Sequence, residues 1–577
     1  MNGLDTFGYH FVNLFLHIST AFLFYLLLER YVSNDKNDPY HFIALIASAI
    51  FLLHPINSES VTYISSRSSE LSTLLMLSTM LMFFSATERE FRSGRYLLSI
   101  LFFILGLSSK ETVLVTPALM LFFDRYFVTE GRGDFSKRLK YHLPFWAIVL
   151  SGAVFYSRYI IHPEMYDRPW LTHILTELKV FTIYLRLLFV PIGLNIDHDI
   201  QESVGLDAAA GTAIFVIVSL ILLAFAVRKK YRILSFSILW FFINIGPLLA
   251  LRLSDYMADR WAYAASLGFA LGLSVPLAAL IRRDRRVGAL VVVSIALTFG
   301  IMTYTRNSVY LDPITLWADA LKKSPEKIRP YTNLSASYLE RGNITKAIEV
   351  MELSIKRGNR AAETYQNLAM AYFMKDDLKK AERIMLSGGG TGSLAYDYNL
   401  GVIYKYEKKF PQAIDSFEKA LKKSPFSPAV LGSIGECYKL SGRQKTAEEY
   451  FRAATKGIPQ TAEDYLELAR SHFELKQNEQ GTESLNGALL ADPLNIHIRN
   501  IIATTLLEQH HYDEAYKHYA AMAKISPYFA AAYRGMGAAM IKKGDLNAAR
   551  KHLEKALALL PPDSPDRAEI EKLLTQT

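Results

Sequence analysis

In the first half of the sequence, ionisable side chains gather at a few places between apolar runs. His54, Glu59, Arg67 and Glu70 fall in HPINSESVTYISSRSSE, and Lys110 and Glu111 interrupt the apolar stretch LSSKETVLVTP. His162, Glu164, Asp167 and Arg168 form a third group, Asp197, His198 and Asp199 a fourth, and Asp255, Asp259 and Arg260 a fifth. A charged group at membrane depth is costly, so it faces a water-filled cavity or pairs with another charge. Taken together these groups point to a polar cavity. Taken singly each is equally well an ordinary solvated loop residue, and Asp259 with Arg260 reads equally well as an ion pair at a helix end. Lys110 and Glu111 have the stronger functional case, because a short hairpin between two spans should dip there into the interface. His17, inside an apolar run, reads as a helix-packing residue. The run Asp197, His198, Asp199 lacks the helical spacing of known metal sites. A divalent metal is weighed there, but no metal site is assigned.

The elements that must hold these residues are long apolar stretches at 7–31, 41–54, 70–87, 95–108, 111–127, 141–161, 207–227, 232–250, 259–281 and 287–305. They suggest about ten membrane spans. Thr176 to Pro191 is apolar but carries Lys179 and Arg186, which reads as an interfacial or re-entrant helix. Alternate connections are basic: Arg30 and Lys36; Arg89, Arg92 and Arg95; Arg125 to Lys140; Arg228 to Arg232; Arg282 to Arg286. The positive-inside rule puts these five loops in the cytoplasm and the polar groups on the outer side. The same count leaves Met1 outside, and a helix preceding it would repair the parity.

After about residue 310 the pattern changes. Pro425, Pro459, Pro493, Pro527 and Pro561 recur every 34 residues, the period of tetratricopeptide (TPR) repeats. Small residues keep the same phase, Gly401, Gly435, Ala469, Ala503 and Gly537 in one helix and Ala413, Ala447, Gly481, Ala515 and Ala549 in the next. About seven repeats are expected, with a register slip and a flexible bend at the glycine run Gly388 to Gly390. The expected division is a polytopic membrane domain over 1–306, a connection and half-repeat with Trp317 over 307–327, a TPR solenoid over 328–561 and a C-terminal cap over 562–577. The fold class is therefore all-α, a helical membrane bundle followed by an α-solenoid. Such a solenoid offers a concave face to a protein or peptide partner.

The net charge of +9 arises largely from the loop clusters that orient membrane helices, so nucleic acid is not an expected partner. With one cysteine, Cys437, there is no intramolecular disulfide and no cysteine metal site.

YHFVNLFLH at 9–17, HPINSESVTYISSRSSELS at 54–72, SSKET at 108–112, YLRLLFVPIGLNIDHD at 184–199, ADRWAYAASLGF at 258–269 and RNSVYLDPITLWADALKKSP at 306–325 have a further meaning. In this order, followed by TPR repeats, they resemble the transmembrane and tetratricopeptide-repeat protein O-mannosyltransferases and their bacterial relatives, within the GT-C glycosyltransferases. The resemblance implies a bundle of membrane helices with an outward cavity, a polyprenyl-phosphate sugar as donor, and a protein acceptor presented by the TPR domain. It also implies a catalytic Asp in an acid pair on the first outward loop. That pair is absent: Asp5 is the single acid before the first span and does not match it.

Transfer from a lipid-phosphate sugar needs a carboxylate to take the acceptor's proton and a cation or metal for the departing phosphate. Lys110, Arg260, Arg67 and Arg158 are candidates for the phosphate, with Arg260 and Lys110 preferred. Glu59, Glu70, Glu111, Asp255 and Asp259 are candidates for positioning substrate, and His54 lies on the same side. The general base is unassigned, and no cofactor is assigned. Two classes stay open: a GT-C-type protein O-glycosyltransferase, and a noncatalytic membrane-anchored TPR scaffold for envelope proteins. A transporter is disfavoured because the spans show no internal repeat. The expected location is a bacterial inner membrane with the TPR domain on the periplasmic side.

Overall fold

The computed structural model describes residues 6–32, 42–88, 90–129, 135–159, 168–560, 564 and 566–577. His162, Glu164, Asp167, Asp5 and Pro561 lie outside the described residues, as does the side chain of Arg158. The described residues are helical with no strand, and the chain divides into two compact units, Met1–Pro325 and Glu326–Thr577.

The first unit opens with α1 (Thr6–Tyr31) and α2 (Ile43–Leu53). His54 is driven out of helical conformation by the proline that follows it, with φ −69° and ψ 125°. The chain therefore bends by 50° into a short turn and α3 (Ser58–Thr62), and Glu59 enters the interior of the unit. Next come α4 (Arg67–Thr87), α5 (Ser93–Ser109), a 3-10 turn over Glu111–Val115, α6 (Thr116–Phe123) and α7 (Phe135–Tyr159). They are followed by α8 (Trp170–Phe189), α9 (Ala208–Val227), α10 (Arg232–Ile245), α11 (Tyr263–Arg283), α12 (Arg285–Val309) and α13 (Pro313–Lys323).

Among the described residues, six helices are long and apolar enough to cross a membrane, or up to seven with the bent pair counted as one span. The stretch 95–108 makes a shorter helix, and 111–127 is divided among a 3-10 turn, α6 and a π-helical turn at Asp124–Val128. The start of α7 carries Lys137, Arg138 and Lys140. Thr176 to Pro191 belongs to α8, which starts earlier, at Trp170, and is not among the six. α12 is about one-tenth buried, leaving Leu290, Val293, Leu297 and Ile301 exposed along its length. An apolar surface this continuous calls for an apolar solvent, which supports membrane association. Inside, Phe24, Phe51, Phe83, Phe84, Phe123 and Trp240 form the main core. α10 and α11 approach closely because residue 268 is glycine; a Cβ there would stand 2.6 Å from the Trp240 ring.

α13, in the stretch read as connection and half-repeat, packs within the first unit: its Leu316 and Ala320 cluster with Ile196.

The second unit is a run of helix pairs. They are α14 (Ile328–Glu340) with α15 (Ile344–Lys356), α16 (Ala362–Met374) with α17 (Leu378–Ser387), and α18 (Leu394–Tyr406) with α19 (Phe410–Lys423). α20 (Pro428–Leu440) pairs with α21 (Gln444–Ala454), and α22 (Ala462–Glu474) with α23 (Asn478–Ala491). α24 (Ile496–Glu508) with α25 (Tyr512–Ile525) and α26 (Ala530–Lys543) with α27 (Leu546–Leu559) precede α28 (Asp566–Leu574). The phased small residues are the contact points: Cβ atoms on Gly401 and Gly435 would meet Phe417 and Phe451 at 2.7 and 2.8 Å.

Each turn within a pair has one residue at positive φ, in the order Gly342, Asp376, Lys408, Gly442, Lys476, His510 and Gly544. The spacing is 34 throughout except for 32 between Asp376 and Lys408, which locates the slip. The glycine run Gly388 to Gly390 lies at this slip. Gly389, Gly390 and Gly392 have positive φ, and a Cβ on Gly388 would stand 2.1 Å from Tyr365. The first pair returns to the last ones, with the Arg341 guanidinium 4.2 Å from the centre of the Tyr528 ring.

Candidate functional site

The bend at His54–Pro55 and the turn before α11 bring together residues two hundred positions apart. Glu59 has no exposed side-chain surface, and both its oxygens are engaged by Arg260, Oε1 by the guanidinium and Oε2 by the backbone N–H at 3.1 Å. The Arg260 side chain is 29% exposed, so one member of the pair is sealed and the other reaches solvent. Asp259 turns the other way. Its Oδ1 lies 2.7 Å from His198 Nε2, and its Oδ2 accepts from the Asn195 N–H at 2.9 Å. Adjacent residues of the turn thus hold two different partners, and Asp259 and Arg260 do not pair with each other.

Lys110 stands where α5 ends, with φ −162° and ψ 141°. Its Nζ donates to Ser69 Oγ at 2.7 Å, and its charge feels Glu111, Arg260 and Glu59. Burial pushes its ammonium down to about 8. A lysine at that level is poised to gain from an anion, whose charge would offset the lost solvation.

The loop after α8 is tied down from below. Asn195 Nδ2 donates to Asp197 O at 2.9 Å and to Ser324 Oγ at 2.8 Å, and Lys323 Nζ donates to Leu194 O at 2.8 Å. Arg306 donates to Asp319 Oδ2 at 2.8 Å and to Tyr310 Oη at 3.2 Å, and Asp259 acts electrostatically on both Arg306 and Tyr310. The α12–α13 corner is therefore the floor under His198 and Asp259.

The remaining sequence candidates lie elsewhere or are already engaged. His54 is buried, with Nε2 donating to Leu188 O at 2.8 Å and Nδ1 accepting from the Ile56 N–H at 3.2 Å, so both ring nitrogens serve the bend. Arg67 Nε donates to Asn13 Oδ1 at 2.9 Å, fastening α4 to α1. Glu111 is exposed at the head of its 3-10 turn. Glu70 is fully buried, and neither carboxylate oxygen has a hydrogen-bond partner among the described residues. The described residues contain no group of three or more His, Cys, Asp or Glu able to hold a metal ion.

His198 is the residue whose place the sequence did not reveal. Its interest there was as the middle of a D-H-D run, whereas its partner is Asp259, 61 residues on. Of its neighbours, Asp197 is buried and Asp199 exposed, so the three side chains do not share one environment. The available signal was the polar loop that follows α8.

Tetratricopeptide-repeat family patterns match residues 398–462 and 506–576. Over 357 residues the chain is 23% identical to a protein O-mannosyl-transferase of Caenorhabditis elegans, covering 60% of this chain and 50% of that one. It is 32% identical over 95 residues to the protein O-mannosyl-transferase Tmtc3 of Drosophila melanogaster, covering 14% of this chain and 10% of that one. Among solved structures, the MamA protein is 22% identical with a TM-score of 0.24, covering 30% of this chain and 94% of its own. The match to the nematode protein spans half of that protein's length. The chain thus carries tetratricopeptide repeats and is homologous to protein O-mannosyl-transferases that are longer than the region matched.

Proposed function

We propose that this chain is a membrane glycosyltransferase of GT-C type that moves a sugar from a polyprenyl-phosphate donor to a hydroxyl of a protein held by the TPR unit. The observation that carries this reading is the meeting of Lys110, Glu59–Arg260 and Asp259–His198 at one place in the membrane unit. Lys110 and the partly exposed Arg260 supply the positive charge that a departing lipid phosphate needs. A histidine held by a carboxylate is suited to take a proton from an attacking hydroxyl, and His198 can do so through Nδ1 while Asp259 holds Nε2. Glu59 fixes Arg260 and is a positioning residue. The charge of the loops supports a site and a solenoid on the outer side of a bacterial inner membrane.

The test is transfer of labelled mannose from polyprenyl-phosphate mannose to a Ser/Thr-containing acceptor peptide by the full chain in nanodiscs. Lys110→Ala and Arg260→Lys should each lower transfer by about a hundredfold while retaining the fold. Unaltered transfer in both dismisses the phosphate role. A wild-type chain that binds the acceptor but transfers nothing would instead support the scaffold reading.

A further inference from the structure

The second unit holds a polar cluster that neither the repeat packing nor the membrane site uses. α18, α20 and α22 are the first helices of three successive pairs, and α20 lies against α22. Lys405 Nζ donates to Glu436 Oε2 at 2.6 Å, and Arg470 donates to the same oxygen at 2.8 Å while standing 3.2 Å from Glu467 Oε1. The second oxygen of Glu467 is left over. Oε2 is buried with no hydrogen-bond partner among the described residues, and so is the hydroxyl of Ser471. The Glu467 side chain is 6% exposed and Ser471 is 0% exposed.

Both orphaned atoms lie beside Gly432. A Cβ built there would stand 3.2 Å from Glu467 Oε2 and 3.2 Å from Ser471 Oγ. With glycine at 432, the carboxylate oxygen and the hydroxyl face bare α20 backbone, with no side chain from that position over them. Glu463, exposed on the same helix, and Tyr398 both act electrostatically on this group. Three carboxylates, Glu436, Glu463 and Glu467, share two cations, Lys405 and Arg470. Burial pushes Glu467 up to about 7. The cations present do not offset that burial, so the place is short of positive charge.

We propose that the unpartnered Glu467 carboxylate receives the cationic side chain of a lysine or arginine in an extended peptide lying along the first helices of the repeats. The chemistry is a charge-assisted hydrogen bond from the ammonium or guanidinium to Glu467 Oε2, seconded by Ser471 and drawn in by Glu463. An extended chain fits because stacked helix pairs present one continuous surface. The proposal rests on the reading of the solenoid as a protein-binding unit and names the partner's chemistry.

The experiment uses the full chain in nanodiscs and a fluorescein-labelled nonapeptide of repeated Gly-Ser-Lys, with the Gly-Ser-Glu peptide as its match. Binding is followed by anisotropy. The lysine peptide should bind, the glutamate peptide should not, and affinity should tighten from pH 6 to pH 8 as Glu467 ionises. Glu467→Gln and Gly432→Ala should each weaken binding roughly tenfold or more. Glu448→Gln, an exposed acid on α21, should leave it unchanged. Circular dichroism identifies any variant that has lost its helices, and Ser471→Ala, the gentlest change, should still weaken binding. Absence of lysine-peptide binding, equal binding of both peptides, no effect of Glu467→Gln, or an equal loss in Glu448→Gln each overturns the proposal. Sugar transfer is not read in this assay, so its failure leaves the membrane site untouched, and a failed transfer assay leaves the Glu467 site untouched.

Discussion

Glu59 is sealed whereas Arg260 keeps part of its side chain in solvent, so the two members of the pair are not equivalent. Arg260→Ala leaves a buried carboxylate without its partner and should cost about 3–5 kcal/mol. Glu59→Gln leaves a cation that can turn to water and should cost about half as much or less. Thermal unfolding in detergent should therefore rank Arg260→Ala below Glu59→Gln, and the reverse order would contradict the burial. Glu467 makes a prediction about pH. Its folded value, about 7, lies above the ordinary 4.5, so the folded solenoid binds this proton more tightly than the unfolded chain. The stability it contributes is complete below pH 4.5, declines as pH rises towards 7 and is lost above it. The groups facing it are Arg470, Lys405, Glu436, Glu463 and Tyr398. Glu467→Gln, with no proton to lose, should match the wild type near pH 4 and exceed it by about 1–3 kcal/mol at pH 8, as read by urea unfolding of the second unit's helices. The types of these residues were legible in the sequence, but their partners were not. Glu59 meets Arg260 from 201 positions away, and no local spacing records that.

Turns and bends decide where the elements end. Lys408, Lys476 and His510 have φ between 60° and 66° at the position that Gly342, Gly442 and Gly544 occupy in other pairs. A side chain there costs about 1 kcal/mol relative to glycine. Lys476→Gly should therefore raise the melting temperature of the second unit, and a fall would show that the Lys476 side chain makes a contact worth more than the strain. The stacking of Arg341 on Tyr528 joins the first pair to the last ones, and Tyr528→Ala should lower stability by about 0.5–1 kcal/mol. The 34-residue period and its slip were readable because repeats restate the same contacts in sequence. The bend at Pro55 was readable in principle from His-Pro, but the side chain it aims inward was not. Gly388 is glycine for want of room beside Tyr365, a contact that composition does not record.

The two units differ in their apolar patterning, and that division was the plainest feature of the sequence. Apolar length in the sequence suggested about ten spans; among the described residues six or seven helices have the length and apolarity to cross, while α5 is shorter and the 111–127 stretch is divided by two non-α turns. The sidedness proposed from the basic loops can be read with one added thiol. Cys437 is buried in α20, so Leu490→Cys, at an 81% exposed position, should be the reactive site for a membrane-impermeant maleimide in intact cells. Labelling that appears after the inner membrane is breached, and not before, would reverse the topology. The central claim is chemical and rests on Asp259 and His198 acting together above the α12–α13 corner. Its most direct test is single-turnover transfer of mannose from polyprenyl-phosphate mannose by the full chain across pH. We predict measurable transfer that falls about a hundredfold or more in Asp259→Asn, with His198→Ala equally impaired and the double variant no worse than either. Transfer that persists at the wild-type rate in Asp259→Asn, or a wild-type chain that never releases the sugar from its lipid phosphate, would contradict it.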